Sequence, residues 1–428
     1  MSAVRKGLLF NGNKKKPHPQ PQPSPVEMQG RSRLRQQVTM YLPRIERRRY
    51  RIATRDIMDC MFEACLEATL EPDDIPKTNE PVWILGKRYN AIQDINKIRQ
   101  DIISKIWITY RKNFVPIGGE EGLTSDKGWG CMLRCGQMVL AQALVWLHLG
   151  RDWRWDPETR DSTYLKILQK FQERRQEPYS IHQIALMGAS EGKAVGQWFG
   201  PNTVAQVLKK LVTYDEWSQL AIHVALDNTI VINDIRELCL PQSKNVGTNL
   251  WKPLLLIVPL RLGLSEINPI YVNAVQKCFQ FKQSLGVIGG KPNVALYFIG
   301  CVGKEVIYLD PHNTQKTGFV ENKETEEQIE TDLTYHCKYA SRINILKMDP
   351  SVAVCFFCKT ESDFNDLCQR IKIELIDPEK QPLFEVCYNK PKEWSPTLEN
   401  AVEAGPASFA DFQPSSRHFD SDHEFEIL

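Results

Sequence analysis

Cys131 is the residue whose surroundings most plainly suggest chemistry. It stands in Gly128-Trp129-Gly130-Cys131-Met132-Leu133-Arg134-Cys135-Gly136-Gln137, at the mouth of an apolar segment running to Leu149. That segment is apolar nearly all the way round and is followed by Gly150, so it reads as a buried helix with a glycine stop. The glycines ahead of it permit a tight backbone turn. A thiol in the first turn of a helix meets unpaired N–H groups and the positive end of the helix dipole. Both favour the thiolate, which is the nucleophilic form of cysteine.

A cysteine nucleophile needs a base, and the chain holds eight histidines: His18, His148, His182, His223, His312, His336, His418 and His423. His18, His418 and His423 fall in terminal stretches of tail-like composition, and His148 lies near the far end of the Cys131 helix, too distant to reach the thiol. His312 is the candidate. It follows Glu305-Val306-Ile307-Tyr308-Leu309-Asp310-Pro311, an apolar run that reads as a strand. A second run, Val294 to Val302, precedes it across a Gly303-Lys304 turn, which is a hairpin pattern. Pro311 keeps Asp310 out of helical conformation, and in an extended chain residues two apart face the same way. Asp310 is therefore expected beside His312, holding the ring in one tautomer as the third member of a catalytic triad. A single buried cysteine is more often a small core hydrophobe, and Asp-Pro-His is more often a strand-end turn. A helix-start cysteine combined with a strand-end Asp/His pair is the papain-like arrangement of parts.

The elements that must position these groups follow from apolar patterning. The first half of the central region is helix-rich, and the second half carries buried strands at Leu254–Val258, Val294–Val302, Glu305–Leu309 and Val352–Phe357. Val204, Val207, Leu208 and Leu211 fall on one face of a helix, with Asn202 or Thr203 as the expected cap. Asn268-Pro269 reads as a cap with proline at the first helical position. Phe364, Leu367, Cys368 and Ile371 form a helical stripe expected to be core. The longest apolar run, Leu254 to Leu264, contains Pro259 and Arg261 and reads as a buried strand, not a membrane span.

Composition sets limits. The chain has 428 residues, is 42% hydrophobic and 25% charged, and carries a net charge of +2, so bulk charge does not make it a nucleic-acid binder. Its 12 cysteines are scattered behind no secretory signal, so a reducing cytoplasm is expected. Cys355-Phe356-Phe357-Cys358 has zinc-knuckle spacing but no second pair, and reads as core strand. Neither a metal nor an organic cofactor is expected. Cys135, one helical turn from Cys131, is a possible redox partner of that thiol, although a buried helix position is the commoner case.

Several of these stretches resemble the autophagins, the autophagy-related cysteine endopeptidases. They are the Gly128–Met138 segment, Tyr308-Leu309-Asp310-Pro311-His312, Trp107-Ile108-Thr109-Tyr110-Arg111, Gly196-Gln197-Trp198-Phe199-Gly200-Pro201-Asn202-Thr203 and Gly289-Gly290-Lys291-Pro292-Asn293. The resemblance runs from about Glu80 to about Asn389. It implies an α+β, papain-like cysteine protease fold with a small additional subdomain. It implies Cys131 as nucleophile, His312 as base, Asp310 as orienting carboxylate and Tyr110 as an oxyanion donor. It also implies a substrate groove walled by Trp198 and by a mobile loop bearing Pro292. Such an aromatic clamp would pass glycine and exclude any residue with a Cβ. The implied substrate is the ubiquitin-like autophagy modifier, cleaved after a C-terminal glycine and also released from phosphatidylethanolamine. Membrane contact would then be transient and made through the lipidated substrate.

Three zones organise the chain. Residues 1–76 form a basic, Pro/Gln-containing extension, residues 77–391 the protease domain, and residues 392–428 an acidic tail; both flanks read as disordered. The tail ends Asp422-His423-Glu424-Phe425-Glu426-Ile427-Leu428, which resembles the short peptide motif that binds ubiquitin-like autophagy modifiers. Phe425 and Leu428 would fill two pockets while the backbone extends a sheet of the partner. The competing readings are another papain-like peptidase or deubiquitinase, and an inactive modifier-binding adaptor.

Overall fold

The computed structural model describes residues 75–225, 227–240 and 251–390. In chain order the first elements are β1 (Pro81–Ile84), β2 (Lys87–Asn90), α1 (Ile95–Ile103), β3 (Arg111–Ile117), β4 (Leu123–Ser125), α2 (Cys131–His148), α3 (Ser162–Gln169), α4 (Ile181–Met187), α5 (Pro201–Leu211), β5 (Ala221–Val224), β6 (Thr229–Val231) and α6 (Ile232–Cys239). There follow β7 (Leu254–Arg261), α7 (Val272–Cys278), β8 (Ser284–Lys291), β9 (Val294–Val302), β10 (Glu305–Leu309), β11 (Gln315–Lys316), α8 (Glu326–Leu333), β12 (Ser341–Asn344), β13 (Ser351–Cys358), α9 (Glu361–Ile371) and β14 (Glu385–Cys387).

The long apolar runs build one sheet in the order β12-β10-β9-β8-β13-β7-β5, with β1 and β2 added beside β9. Its pairings are antiparallel except that of β5 with β7. Side chains alternate between two cores. Leu255, Ile257, Ala353, Cys355 and Phe357 face the same side as α2. Leu254, Leu256, Val258, Val352, Val354 and Phe356 face the other. A strand covered on both faces is apolar at every position, which is why these runs show no alternation in the sequence.

Helix α2 is the other half of the frame. Every residue from Cys131 to Trp146 is buried. The helix lies against β8 and β9 on one side and against α3, α4 and α5 on others. It approaches α5 closely at Gly136, where an added Cβ would come within 2.5 Å of Val204 Cγ2. Gly150 just past its end has φ +92°, the left-handed conformation that stops a helix. Each large apolar side chain buried along it contributes roughly 1.5–3 kcal/mol of hydrophobic stabilisation. Cys131 therefore sits on one of the most firmly packed elements.

Two helix starts differ in kind. Asn268 caps as expected, its side chain accepting the Ile270 N–H ahead of a short 3-10 turn, Pro269–Tyr271, that leads into α7. Helix α5 does not use Asn202 or Thr203 as its cap. It begins at Pro201 with Gly200 as the N-cap, so both polar residues lie inside the first turn. Proline at the first helical position is pre-set for the turn and lacks the N–H that would go unpaired, so it moves the start two or three residues earlier. Helix α9 opens with a Thr360/Asp363 capping box and buries the expected Phe364, Leu367, Cys368 and Ile371. Among the described residues no helix is long and apolar enough to cross a membrane. The expected basic extension up to residue 74, and the tail with Phe425 and Leu428, lie outside the described residues.

Candidate active site

Three segments meet at the start of α2. Cys131 is the first residue of that helix and is 5% exposed. The segment after β10 brings Asp310 and His312, and the residues leading into β3 bring Tyr110. Backbone bonds join the last two: Tyr110 N–H donates to Pro311 O at 2.9 Å, and Gln315 N–H donates to Tyr110 O at 2.9 Å. Trp107 adds a side-chain tie, its indole N–H donating to Asp310 O at 2.7 Å.

Asp310 and His312 are neighbours, but not through a fully extended chain. Asp310 Oδ1 accepts the backbone N–H of His312 at 2.8 Å, closing an Asx-type turn, and accepts His312 Nδ1–H at 2.6 Å. That bond makes Nδ1 the protonated nitrogen and turns Nε2 the other way. Nε2 is buried and lacks a partner of ordinary hydrogen-bond geometry. The polar group it meets is the Cys131 thiol, whose interaction is felt by both residues. The Tyr110 ring stands edge-on to the imidazole, with centroids 5.3 Å apart.

The electrostatics polarise this pair. Burial opposes charge on the sulfur, but the hydrogen bond and charge of His312, the Ala295 backbone N–H and the Tyr110 hydroxyl together hold the Cys131 thiol below its ordinary value of 9.0. Burial likewise opposes the imidazolium, yet the bond to Asp310, the Cys131 sulfur and their charges raise His312 above 6.5. The Asp310 carboxyl is pulled down, burial being outweighed by His312 and, more weakly, Lys291. Both shifts act toward a thiolate beside an imidazolium, the forms of a nucleophile paired with a proton donor.

The remaining expected residues sit as follows. Trp198 is 37% exposed and donates its indole N–H to Gly128 O at 2.6 Å, so it is tied to the loop that leads into Cys131. Pro292 is exposed, and it lies on a two-residue turn between β8 and β9. Asn293 beside it has φ +64°, the left-handed value that a type II turn places after its proline. That turn feeds directly into Ala295, whose N–H faces the sulfur. Cys135 is wholly buried, and burial with the charges of Cys131 and Asp310 pushes its thiol well up, so it stays protonated.

A buried ionic cluster that the sequence does not announce lies behind Cys131. Arg134 Nε donates to Asp126 Oδ2 at 2.8 Å, and Arg134 Nη1 to Glu173 Oε1 at 2.8 Å, with all three side chains 0% exposed. The usable signal was an arginine inside an otherwise apolar helix, because a buried guanidinium requires carboxylate partners.

Residues 95–370 match the family described as the Peptidase C54 catalytic domain. Cysteine protease ATG4A of Xenopus laevis is 48% identical over 382 residues, covering 84% of this chain and 95% of that protein. Cysteine protease ATG4B of Gallus gallus is 49% identical over 387 residues, with 84% and 96% covered. Cysteine protease ATG4A of Homo sapiens is 48% identical over 383 residues, with 83% and 95% covered. The chain belongs to the Peptidase C54 family, the autophagins, and is a cysteine-type peptidase of papain-like α+β fold.

Proposed function

We propose that this chain is an endopeptidase that cleaves ubiquitin-like autophagy modifiers after their C-terminal glycine, with Cys131, His312 and Asp310 as its triad. The observation that carries the assignment is geometric: Asp310 Oδ1 accepts His312 Nδ1–H at 2.6 Å, and the ring's other nitrogen is turned toward the Cys131 thiol at the start of α2.

In the first half-reaction the Cys131 thiolate attacks the glycine carbonyl carbon and the carbonyl electrons move onto oxygen. The Tyr110 hydroxyl and the Cys131 backbone N–H donate to that oxyanion; losing one such donor typically costs roughly 3 kcal/mol of barrier. His312 then gives its Nε2 proton to the leaving nitrogen, the C–N bond breaks, and a thioester remains. In the second, neutral His312 takes a proton from water, the resulting hydroxide adds to the thioester carbon, and the thiolate departs. The glycine carboxylic acid leaves and gives its proton to solvent, and His312 is again protonated. Asp310 holds the ring throughout.

The same chemistry serves an amide to a following residue or to phosphatidylethanolamine, since both leaving groups are amines. Delipidation is therefore assigned to the same site, with Trp198 and Pro292 flanking the glycine tail. The protease unit is taken as residues 77–391, with 1–76 and 392–428 as flanks. Phe425 and Leu428 are assigned to modifier binding, which would raise the local substrate concentration. A cytoplasmic setting suits the ten described cysteines, all free thiols.

The test is incubation of the full chain with a ubiquitin-like autophagy modifier carrying a C-terminal tag, beside Cys131→Ala. Release of the tag by the wild type alone is expected. Equal release by both proteins would sink the triad, and cleavage of ubiquitin in preference to the modifier would favour a deubiquitinase.

A further inference from the structure

The proposed nucleophile and oxyanion donor come from different elements, and one buried carboxylate grips both. Asp126 Oδ1 accepts the backbone N–H of Arg111, the residue after Tyr110, at 2.7 Å. The Asp126 N–H returns to Arg111 O at 3.3 Å. On its other side Asp126 meets α2: Arg134 Nε donates to Oδ2 at 2.8 Å and Nη2 to Oδ1 at 3.0 Å. The Asp126 main-chain oxygen also accepts the N–H of Gly130, the residue before Cys131, at 2.9 Å.

The grip is closely fitted. An added Cβ on Gly130 would lie 2.3 Å from Asp126 Oδ2, so only glycine leaves room for the carboxylate there. Arg134 is itself pinned, its Nη1 donating to Glu173 Oε1 at 2.8 Å and to Gln137 Oε1 at 3.0 Å. The carboxylates of Asp126 and Glu173 keep the guanidinium charged despite its burial.

Buried ion pairs are a poor source of stability, because desolvation consumes much of the attraction. Their distinctive property is geometric: a planar guanidinium forked onto a carboxylate fixes both distance and angle. Here that geometry spans the two elements whose relative placement sets catalysis. The Tyr110 backbone is held on one side by Pro311 and Gln315 and on the other through Arg111 by Asp126. Cys131 is held through Gly130 and Arg134 by the same residue.

We propose that Asp126 is a positioning residue that sets the separation between the Tyr110 hydroxyl and the Cys131 sulfur. The proposal rests on the roles assigned to those two residues under the proposed function. Asp126 touches no substrate; it acts by holding the oxyanion donor where the charge develops. Catalysis is steeply sensitive to such placement, so a displacement of about 1 Å can cost on the order of 10²-fold.

The test is a double-mutant cycle in the full chain, read as kcat and KM for release of a C-terminal tag from a ubiquitin-like autophagy modifier. Asp126→Glu keeps the charge but is a methylene too long for both grips. Tyr110→Phe alone is expected to lower kcat by roughly 10²-fold. Asp126→Glu alone is expected to lower kcat by roughly tenfold or more with KM changed by less than about twofold. In the Tyr110→Phe background, Asp126→Glu should cost less than about threefold further, because the group it positions is already gone. Losses that simply multiply would overturn the positioning role while leaving the triad untouched. A Tyr110→Phe variant with normal kcat, or tag release by Cys131→Ala, would overturn the underlying site assignment and this inference with it. Arg134→Lys, which keeps the charge and loses the fork, repeats the cycle should Asp126→Glu not fold, with the same two readings.

Discussion

His312 and His336 each stand beside an aspartate and a tyrosine, yet they end in opposite states. At the start of α2, Asp310 bonds the imidazole directly and the far nitrogen faces a thiol, so the ring is raised and holds a proton. In the core, Tyr164 stands between His336 and Asp332: its hydroxyl donates to Asp332 Oδ1 and lies 2.8 Å from His336 Nε2. His336 Nδ1 bonds Ile103 O at 2.7 Å, and the Trp155 ring stacks on it at 3.8 Å. Burial there outweighs the Asp332 charge and drives His336 down to about 4. Asp332 takes its compensating cation from Lys323, 2.8 Å away. The lesson is that a His/Asp/Tyr grouping is not itself catalytic. What matters is direct carboxylate contact and one ring nitrogen left without an ordinary partner.

The largest expected effect separates the two centres by activity. Asp310→Asn keeps the shape of its site but no longer favours the tautomer or the imidazolium, and should lower kcat by roughly 10⁴-fold while changing unfolding little. Steady-state cleavage kinetics beside a denaturant melt check this. Only a modest loss of activity would erase the distinction between the centres.

Asp332→Ala should do the reverse. Removing it strands the buried Lys323 ammonium and takes a partner from Tyr164 and from the Trp155 indole, which donates to Asp332 Oδ2 at 3.1 Å. A loss of about 3–5 kcal/mol in unfolding free energy is expected, with kcat per folded molecule near that of the wild type. A selective fall in kcat would mean that the core centre takes part in the reaction.

The third effect is smaller and depends on pH. Because His336 falls from 6.5 to about 4 on folding, the unfolded chain binds a proton in that window and the folded chain does not. Its stability contribution is full above about pH 6.5 and is lost as pH drops toward 4, on the order of 3 kcal/mol. His312 is raised, so its contribution has the opposite sign: full below pH 6.5 and lost as pH climbs through the folded value. His336→Phe should flatten the acid limb of a plot of unfolding free energy against pH, whatever its cost at neutrality. An unaltered acid limb would place the titrating group elsewhere.

This contrast also explains what could be read without a structure. The β9–β10 hairpin and α2 were visible because their signals are local: long apolar runs closed by Gly303-Lys304, and a glycine at each end of the helix. Asp310 and His312 were visible because they lie two positions apart, with only Pro311 between them. Asp126, Glu173, Lys323 and Asp332 were not, since single charged residues look like surface positions and their partners are remote in sequence. Arg134 reaches Glu173 across 39 positions and Trp155 reaches Asp332 across 177. The start of α5 was misplaced for a local reason, two polar residues outweighing a proline that sets the turn. Trp198 could be placed before α5, but its bond to Gly128 O comes from tertiary packing alone.

The site assignment depends most on His312 holding the Cys131 thiol below its ordinary value, and alkylation measures this directly. Iodoacetamide labelling of Cys131, followed by mass spectrometry across a pH series, should show a midpoint well below 9.0 in the wild type. In His312→Ala it should move up toward an ordinary thiol. Midpoints near 9.0 in both proteins, or one depressed midpoint shared by both, would contradict the account.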